Sequence, residues 1–141
     1  MPPVNRITVV YDATCGVCTN AKDWINRQDA LVGLEFVPLD SRKARARFPN
    51  LPAGELAVIA DTGEVWLGTH AWVVCLWALR DYRDLAVRLT NPLLVSMARE
   101  AYMAVSSNRY ALSRLLKLRS ERELELQLRK VVVPKCETAP C

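Results

Sequence analysis

The sequence predicts an α/β fold in which a mixed β-sheet is flanked by helices, with a helical extension at the C-terminal end. Apolar, β-branched runs alternate with stretches of helical periodicity over the first half of the chain. A glycine-containing turn, 61–63, joins two short apolar runs in the manner of a β-hairpin. After Asp84 the pattern is helical. The 141 residues are 51% apolar and 24% charged, which is typical of a single folded domain with an appendage.

The first half of the chain is predicted to follow the order βαβα–ββα. The predicted strands are residues 7–11, 34–39, 56–60 and 64–67. Pro38 indicates an edge strand or the end of a strand. The predicted helices are residues 15–27, a short basic helix capped by Asp40 or Ser41, and residues 71–80 with Thr69 as the cap.

The second half is predicted to be helical. One helix follows Asn91 with Pro92 at its first position and ends near residue 105, and another begins near Ser107. Residues 120–133 are rich in Glu, Arg and Leu and fit a helix, although three alternating leucines leave a strand open. Residues 134–141 are interpreted as a tail.

A pair of cysteines, Cys15 and Cys18, lies where the first strand passes into the first helix. A Cys-x-x-Cys pair at such a junction is typical of a redox site. Cys15 would lie beside the unsatisfied N–H groups of the helix start, which favour the thiolate, the nucleophile of disulfide exchange. We therefore expect Cys15 to attack a disulfide and Cys18, one turn further and more shielded, to resolve the mixed disulfide.

Two other interpretations of the cysteine pair remain open at this point: inert structural thiols, or half of a zinc site. Zinc would need further ligands from Cys136, Cys141 or His70, and a second closely spaced pair is missing. Cys136 and Cys141 are also candidates for a relay that passes electrons to the pair by intramolecular exchange. Cys75, among apolar neighbours, is expected to be a buried small hydrophobe. We expect no metal and no organic cofactor.

Three motifs in this order resemble the DCC family of thiol–disulfide oxidoreductases. They are Asp12-x-x-Cys15-x-x-Cys18, the stretch 63–71 with Gly68 and Ala71, and Tyr102-x-x-Val105-Ser106-x-Asn108-Arg109-Tyr110. The resemblance covers about residues 7–116. It departs from the family at Ala13, where glycine is frequent, and from thioredoxins near Glu55, where they have a cis-proline; Pro52 lies three residues earlier.

The resemblance implies a thioredoxin-like fold and a thiol–disulfide oxidoreductase, specifically a protein-disulfide reductase. The implied division is a thioredoxin-like domain at 5–84, helices packing on it at 85–119, and a helical or flexible tail at 120–141. Alternatives are a glutaredoxin-like reaction with glutathione and a non-catalytic interaction or redox-sensing module of the same fold. The expected partners are a disulfide-containing protein or small thiol and a cellular thiol reductant, with a homodimer possible through the C-terminal helices.

Two further polar groups are candidates for the site. Asp12 could act as a general base that takes the proton of Cys18, or it could accept hydrogen bonds from loop N–H groups. Arg109, beside Asn108, could lie near residues 12–14, the loop before Cys15 that we call the redox loop. There it could stabilise a thiolate or a substrate carboxylate; alternatively, it could form an inter-helix ion pair.

The charge pattern and the absence of long apolar segments narrow the function classes. The net charge is +4. The densest basic run, residues 42–47, indicates either a solvated helix face or a docking patch for acidic partners. No aromatic residues are interleaved with these charges, so nucleic acid is not expected. With neither an apolar leader nor an apolar stretch of membrane-spanning length, we expect a cytoplasmic protein that binds no membrane and has reduced thiols.

Overall fold

The structure, a computed structural model, describes residues 2–130. Its four strands are β1 (Arg6–Tyr11), β2 (Gly33–Pro38), β3 (Ala57–Ala60) and β4 (Val65–Leu67). The seven helices within that range are α1 (Gly16–Asn26), α2 (Arg42–Arg47), α3 (Gly68–Ala78), α4 (Arg83–Arg88), α5 (Pro92–Ser107), α6 (Arg109–Leu115) and α7 (Glu121–Lys130), with a 3-10 turn at Arg80–Tyr82.

The sheet has the strand order β2-β1-β3-β4. β1 pairs in parallel with β2 and antiparallel with β3, and β3 pairs antiparallel with β4. Parallel β1 and β2 need the crossover that α1 supplies, whereas the turn at Gly63 suffices for the β3–β4 hairpin. This is the thioredoxin-like arrangement that the sequence predicts. Pro38 ends the edge strand β2, as expected.

The central strand β1 is buried on both faces because helices cover both sides of the sheet. Ile7 and Val9 point to the side of α1 and α3, where the main core also contains Ile25 and Cys75. Val10 points to the other side, which α2 covers through Ala44. The continuous apolar run of β1 is the expected pattern for a strand enclosed in this way.

Three details differ from the predicted elements. Helix α3 follows β4 directly and begins at Gly68, because the positive φ of Gly68, 56°, allows the sharp turn. The prediction that Thr69 caps this helix is therefore wrong; Thr69 is buried within its first turn. Helix α4 was not predicted, since its six residues carry too little periodicity, and it spans the predicted boundary at 84/85. That division of the chain stays a prediction.

The C-terminal part continues as helices, and residues 121–130 form α7 rather than a strand. Ser120 and Glu123 begin α7 with a capping box: each side chain accepts the other's backbone N–H, at 3.1 and 3.2 Å.

No helix within residues 2–130 is long and apolar enough to cross a membrane.

Candidate redox site

The cysteine pair lies at the N-terminus of α1, as the sequence predicts. Cys15 is the N-cap residue, with extended backbone, and its Sγ accepts the backbone N–H of Cys18 at 3.2 Å. Cys18 also donates its S–H to the Cys15 sulfur, and the two sulfurs are 2.7 Å apart. Since a disulfide bond measures about 2.05 Å, closing the ring requires a shift of well under an ångström.

These contacts give the two thiols different pKa values, so the two sulfurs differ in protonation state. The hydrogen bond from the Cys18 thiol, together with that from the Cys18 N–H, outweighs burial and lowers the pKa of Cys15 to about 6. The same shared proton, followed by burial, raises the pKa of Cys18 above the ordinary thiol value. At neutral pH the reduced pair therefore consists of a Cys15 thiolate and a Cys18 thiol that donates a hydrogen bond to it.

The exposure of the two thiols differs from the sequence-based expectation. Cys15 is 0% exposed, whereas Cys18 is partly exposed. The expectation that Cys18 would be the more shielded thiol is wrong, because residues from the far end of the chain cover the start of α1. A Cβ on Gly16, the next residue after Cys15, would lie 2.6 Å from the carbonyl oxygen of Leu118.

Residues 113–122 form this cover, which we call the covering segment. Ser113 of α6 accepts the N–H of Val17 at 3.0 Å, and the N–H of Arg122 donates to the carbonyl of Ala13 at 3.2 Å. The chain reverses after α6 at Lys117, whose φ of 54° lets the N–H of Leu118 donate back to the carbonyl of Ser113 at 2.8 Å.

Charged and polar side chains fasten the covering segment to the sheet and to α1. Glu121 accepts a hydrogen bond from the hydroxyl of Tyr11 and lies 3.4 Å from Nζ of Lys22. Its N–H donates to Thr19 Oγ1 at 3.0 Å. Burial and then the Glu121 carboxylate raise the pKa of Tyr11 above its ordinary value, so this phenol stays a donor.

Asp12 is held by hydrogen bonds at both carboxylate oxygens. Its Oδ1 accepts the N–H and the hydroxyl of Thr14 at 2.9 and 2.6 Å, and its Oδ2 accepts the Tyr110 hydroxyl at 2.8 Å. Partial burial raises the pKa of Asp12, but these hydrogen bonds outweigh it and the net pKa is lowered. The loop-bonding interpretation of Asp12 matches this geometry; the general-base role stays a hypothesis.

Arg109 lies beside the redox loop, one of the two positions that the sequence left open for it. Its guanidinium donates to the carbonyl of Gly54 at 2.7 Å and lies 3.3 Å from Asp12 Oδ2. Its positive charge lowers the pKa of Cys15, after the larger effects of Cys18 and burial. The Nε of Arg109 is buried without a hydrogen-bond partner among the described residues.

A mainly apolar cavity of about 70 Å³ lies next to Cys18. Its walls come from β1, α1, α3, the loop before β3 and the end of α5, and include Val17, Leu56, Trp72 and Val105. Arg109 and Glu55 also line it, whereas Cys15 does not. Glu55 lies near the position at which thioredoxins have a cis-proline, counted back from the hairpin turn.

The remaining predicted candidates lie elsewhere. Cys75 is fully buried in the core, as expected, and burial raises its pKa to about 12. His70 is exposed at the start of α3. Within residues 2–130, no three His, Cys, Asp or Glu side chains are grouped closely enough to hold a metal ion. Cys136 and Cys141, and hence the proposed relay, lie outside the described residues.

Sequence reasoning missed two residues of the site and one of its surfaces. Tyr110 joins Asp12 from α6, Ser113 caps a free N–H of α1, and the covering segment buries Cys15. Tyr110 belongs to the third of the motifs on which the family resemblance rests, and that was the available signal. Ser113 and the covering segment have no such signal, since their contacts depend on how α5 and α6 pack.

Together, the strand order and the dithiol at the start of α1 define a thioredoxin-like dithiol protein. Residues 9–115 match the family model of the DCC1-like thiol-disulfide oxidoreductases. The chain belongs to that family, and the matched residues coincide closely with the 7–116 expected from the motifs. No curated protein and no solved structure gives a significant match to the chain.

Proposed function

We propose that the chain catalyses thiol–disulfide exchange through Cys15 and Cys18, cycling between a dithiol and an intramolecular disulfide. The observation that carries this proposal is the 2.7 Å contact between two sulfurs of unequal acidity. Cys15 supplies the thiolate at neutral pH, and Cys18 keeps a proton within reach of it. Such a pair can form and break a disulfide without a metal or organic cofactor.

Two orders of attack are compatible with this chemistry. In the order that the sequence suggests, the Cys15 thiolate attacks a substrate disulfide, one substrate thiol leaves, and Cys18 displaces the second thiol from the mixed disulfide. That order requires the covering segment to move, because Cys15 has no exposed surface. In the other order the mixed disulfide forms on Cys18. In the reducing direction Cys15 then attacks the Cys18 sulfur and the substrate thiolate leaves; in the oxidising direction a substrate thiolate attacks Cys18 of the intramolecular disulfide and Cys15 is the sulfur that leaves.

The proposed substrates are a disulfide-containing protein or a small thiol, with a cellular thiol as the reductant. The alternative is a glutathione-specific reaction, in which the basic helix α2 would bind the glutathione carboxylates in place of the surface contacts that it makes here. Lys43 and Arg47 pair with Glu35, and Arg45 donates to the carbonyl of Asp40. The remaining side chains of α2 other than Ala44 face solvent. The possible homodimer stays a prediction.

A redox titration tests the proposal. The full chain carrying Cys136→Ser and Cys141→Ser is equilibrated with dithiol–disulfide buffers, and the pair is followed by alkylation and mass spectrometry. We expect a single two-electron transition that Cys15→Ser and Cys18→Ser each abolish and that Cys75→Ala leaves in place. Exchange with a model disulfide should require both cysteines. A pair that forms its disulfide but exchanges with no added thiol or disulfide would instead support the non-catalytic module.

A further inference from the structure

The two sulfurs of the pair differ in what can reach them. Cys15 is 0% exposed beneath the covering segment, whereas Cys18 is partly exposed and lines the apolar cavity. A molecule that enters the cavity therefore contacts Cys18 and not Cys15. This geometry is the reverse of the role assignment that the cysteine spacing suggested, in which Cys15 makes the first contact with the substrate.

We infer that the substrate is a thiol carried beside an apolar group, and that it attacks the oxidised pair at Cys18 with Cys15 as the leaving sulfur. The inference rests on the proposed function and selects one direction of it. Electrons pass from a substrate dithiol to the Cys15–Cys18 disulfide, so the thiol is the substrate and a disulfide-containing protein, rather than a cellular thiol reductant, regenerates the pair.

The half-reaction balances with the groups present. A substrate thiolate bonds to the Cys18 sulfur, the Cys15–Cys18 bond breaks, and its electron pair leaves on Cys15. A second thiolate of the same substrate then attacks the substrate sulfur of the mixed disulfide and releases Cys18, which takes up a proton. The substrate dithiol has lost two electrons, and the protein pair has gained them. A disulfide-bearing co-reactant must return the pair to the oxidised form.

The chemistry of the two cysteines supports this direction. In disulfide exchange the thiol of lower pKa leaves faster, and stabilising the reduced form makes a pair more oxidising. Cys15 is the more acidic of the two, and Cys18 is a weak nucleophile because its proton is held against the Cys15 sulfur. First attack by the reduced pair on a substrate disulfide is therefore hindered at both cysteines, by burial at Cys15 and by the retained proton at Cys18.

The cavity beside Cys18 indicates the neighbour of the reacting thiol. Val17, Leu56, Trp72 and Val105 contribute apolar side chains to its wall, and the space of about 70 Å³ is far smaller than a pocket for a small molecule, so a single apolar side chain fits it. A cysteine flanked by leucine, valine or a similar side chain is the class of substrate that fits.

Rapid-quench mapping tests the inference. The oxidised full chain, with Cys136→Ser and Cys141→Ser, is mixed with a peptide that has one cysteine beside leucine and so cannot complete the second step. The reaction is quenched with acid, free thiols are blocked with a maleimide, and the adduct is located by peptide mapping at several early times. We expect the peptide on Cys18 and the maleimide on Cys15, in excess over the converse by roughly tenfold when extrapolated to zero time.

The outcomes separate the inference from the function on which it rests. A peptide found first on Cys15 would overturn the inference while leaving thiol–disulfide exchange in place. An intact Cys15–Cys18 disulfide that reacts at neither sulfur would overturn the proposed function as well. A matched peptide with serine in place of leucine should react at least roughly fivefold more slowly, and equal rates would overturn the assignment of an apolar neighbour.

Discussion

Arg109, the first residue of α6, lies 3.3 Å from Asp12 Oδ2, in the loop that leads to Cys15. Their side chains are 17% and 18% exposed, so solvent screens this ion pair less than a surface pair. The same guanidinium donates to the carbonyl of Gly54. Arg109 thus joins the redox loop to the loop before β3 and sets a positive charge near the Cys15 thiolate.

Replacing Arg109 should make the Cys15 thiolate less stable. In Arg109→Gln the carboxylate of Asp12 remains while its cation is lost, so the pKa of Cys15 should rise. The rate of thiolate-dependent alkylation near pH 6 should then fall roughly two- to tenfold. Arg88→Gln, an exposed arginine of α4 outside the covering segment, is the matched control and should change neither quantity. Equal behaviour of the two variants would remove Arg109 from the site.

The Asp12 carboxylate should act mainly by positioning the loop. Because both of its oxygens accept hydrogen bonds and its pKa is lowered, Asp12→Asn should change formation and release of a mixed disulfide by similar factors. The free energy of unfolding should fall by about 1 kcal/mol. Stopped-flow measurement of both steps decides this, since selective slowing of the step that deprotonates Cys18 would instead establish Asp12 as a general base.

The acidity of Cys15 should make the reduced protein depend on pH in a defined window. The folded pKa is about 6, and the unfolded value is about 8.5. Between these values the unfolded chain binds more protons at Cys15, so the stability of the reduced protein should rise as pH increases from about 6 to about 8.5. That contribution is lost as pH falls through 6.

Ultraviolet absorbance of the thiolate gives the titration directly. In Cys18→Ala the pKa of Cys15 should move up toward the ordinary thiol value, because the shared proton is its largest stabilising influence. An unchanged titration in that variant would show that the contact between the sulfurs is not the cause.

The parts of the site that the sequence predicts are those set by nearby residues. The apolar run of β1, the cap position of Cys15 and the two-residue spacing to Cys18 are all local, so the junction could be located before the fold was known. The burial of Cys15 could not, because it depends on Leu118 and Arg122, about a hundred residues further along the chain, which approach through the packing of α6 on α1. The position of Arg109 stayed open for the same reason.

Gly16 should be required for the covering segment to close. A Cβ there would meet the carbonyl oxygen of Leu118 at 2.6 Å, and a backbone atom cannot give way as a flexible side chain can. Gly16→Ala should lower the free energy of unfolding by about 1–3 kcal/mol. Gly33→Ala is the control, because its Cβ would make ordinary contacts of 3.4 Å and the change should stay within about 0.5 kcal/mol. Urea unfolding of both variants measures the difference, and similar midpoints would contradict the close approach.

Glu121 should control how often the covering segment opens over Cys15. Its carboxylate accepts the Tyr11 hydroxyl and pairs with Lys22, whose side chain is only 18% exposed. Glu121→Gln keeps an acceptor for Tyr11 but loses the attraction to Lys22. A loss of about 1 kcal/mol would increase the open population roughly fivefold. Alkylation of Cys15 in the reduced protein, read by peptide mapping above pH 7 where its thiolate is fully formed, should accelerate by that factor. Glu100→Gln, an exposed glutamate of α5, should leave the rate unchanged. If Cys15 reacts at the same rate in both variants, reagents reach it by a route that the covering segment does not guard.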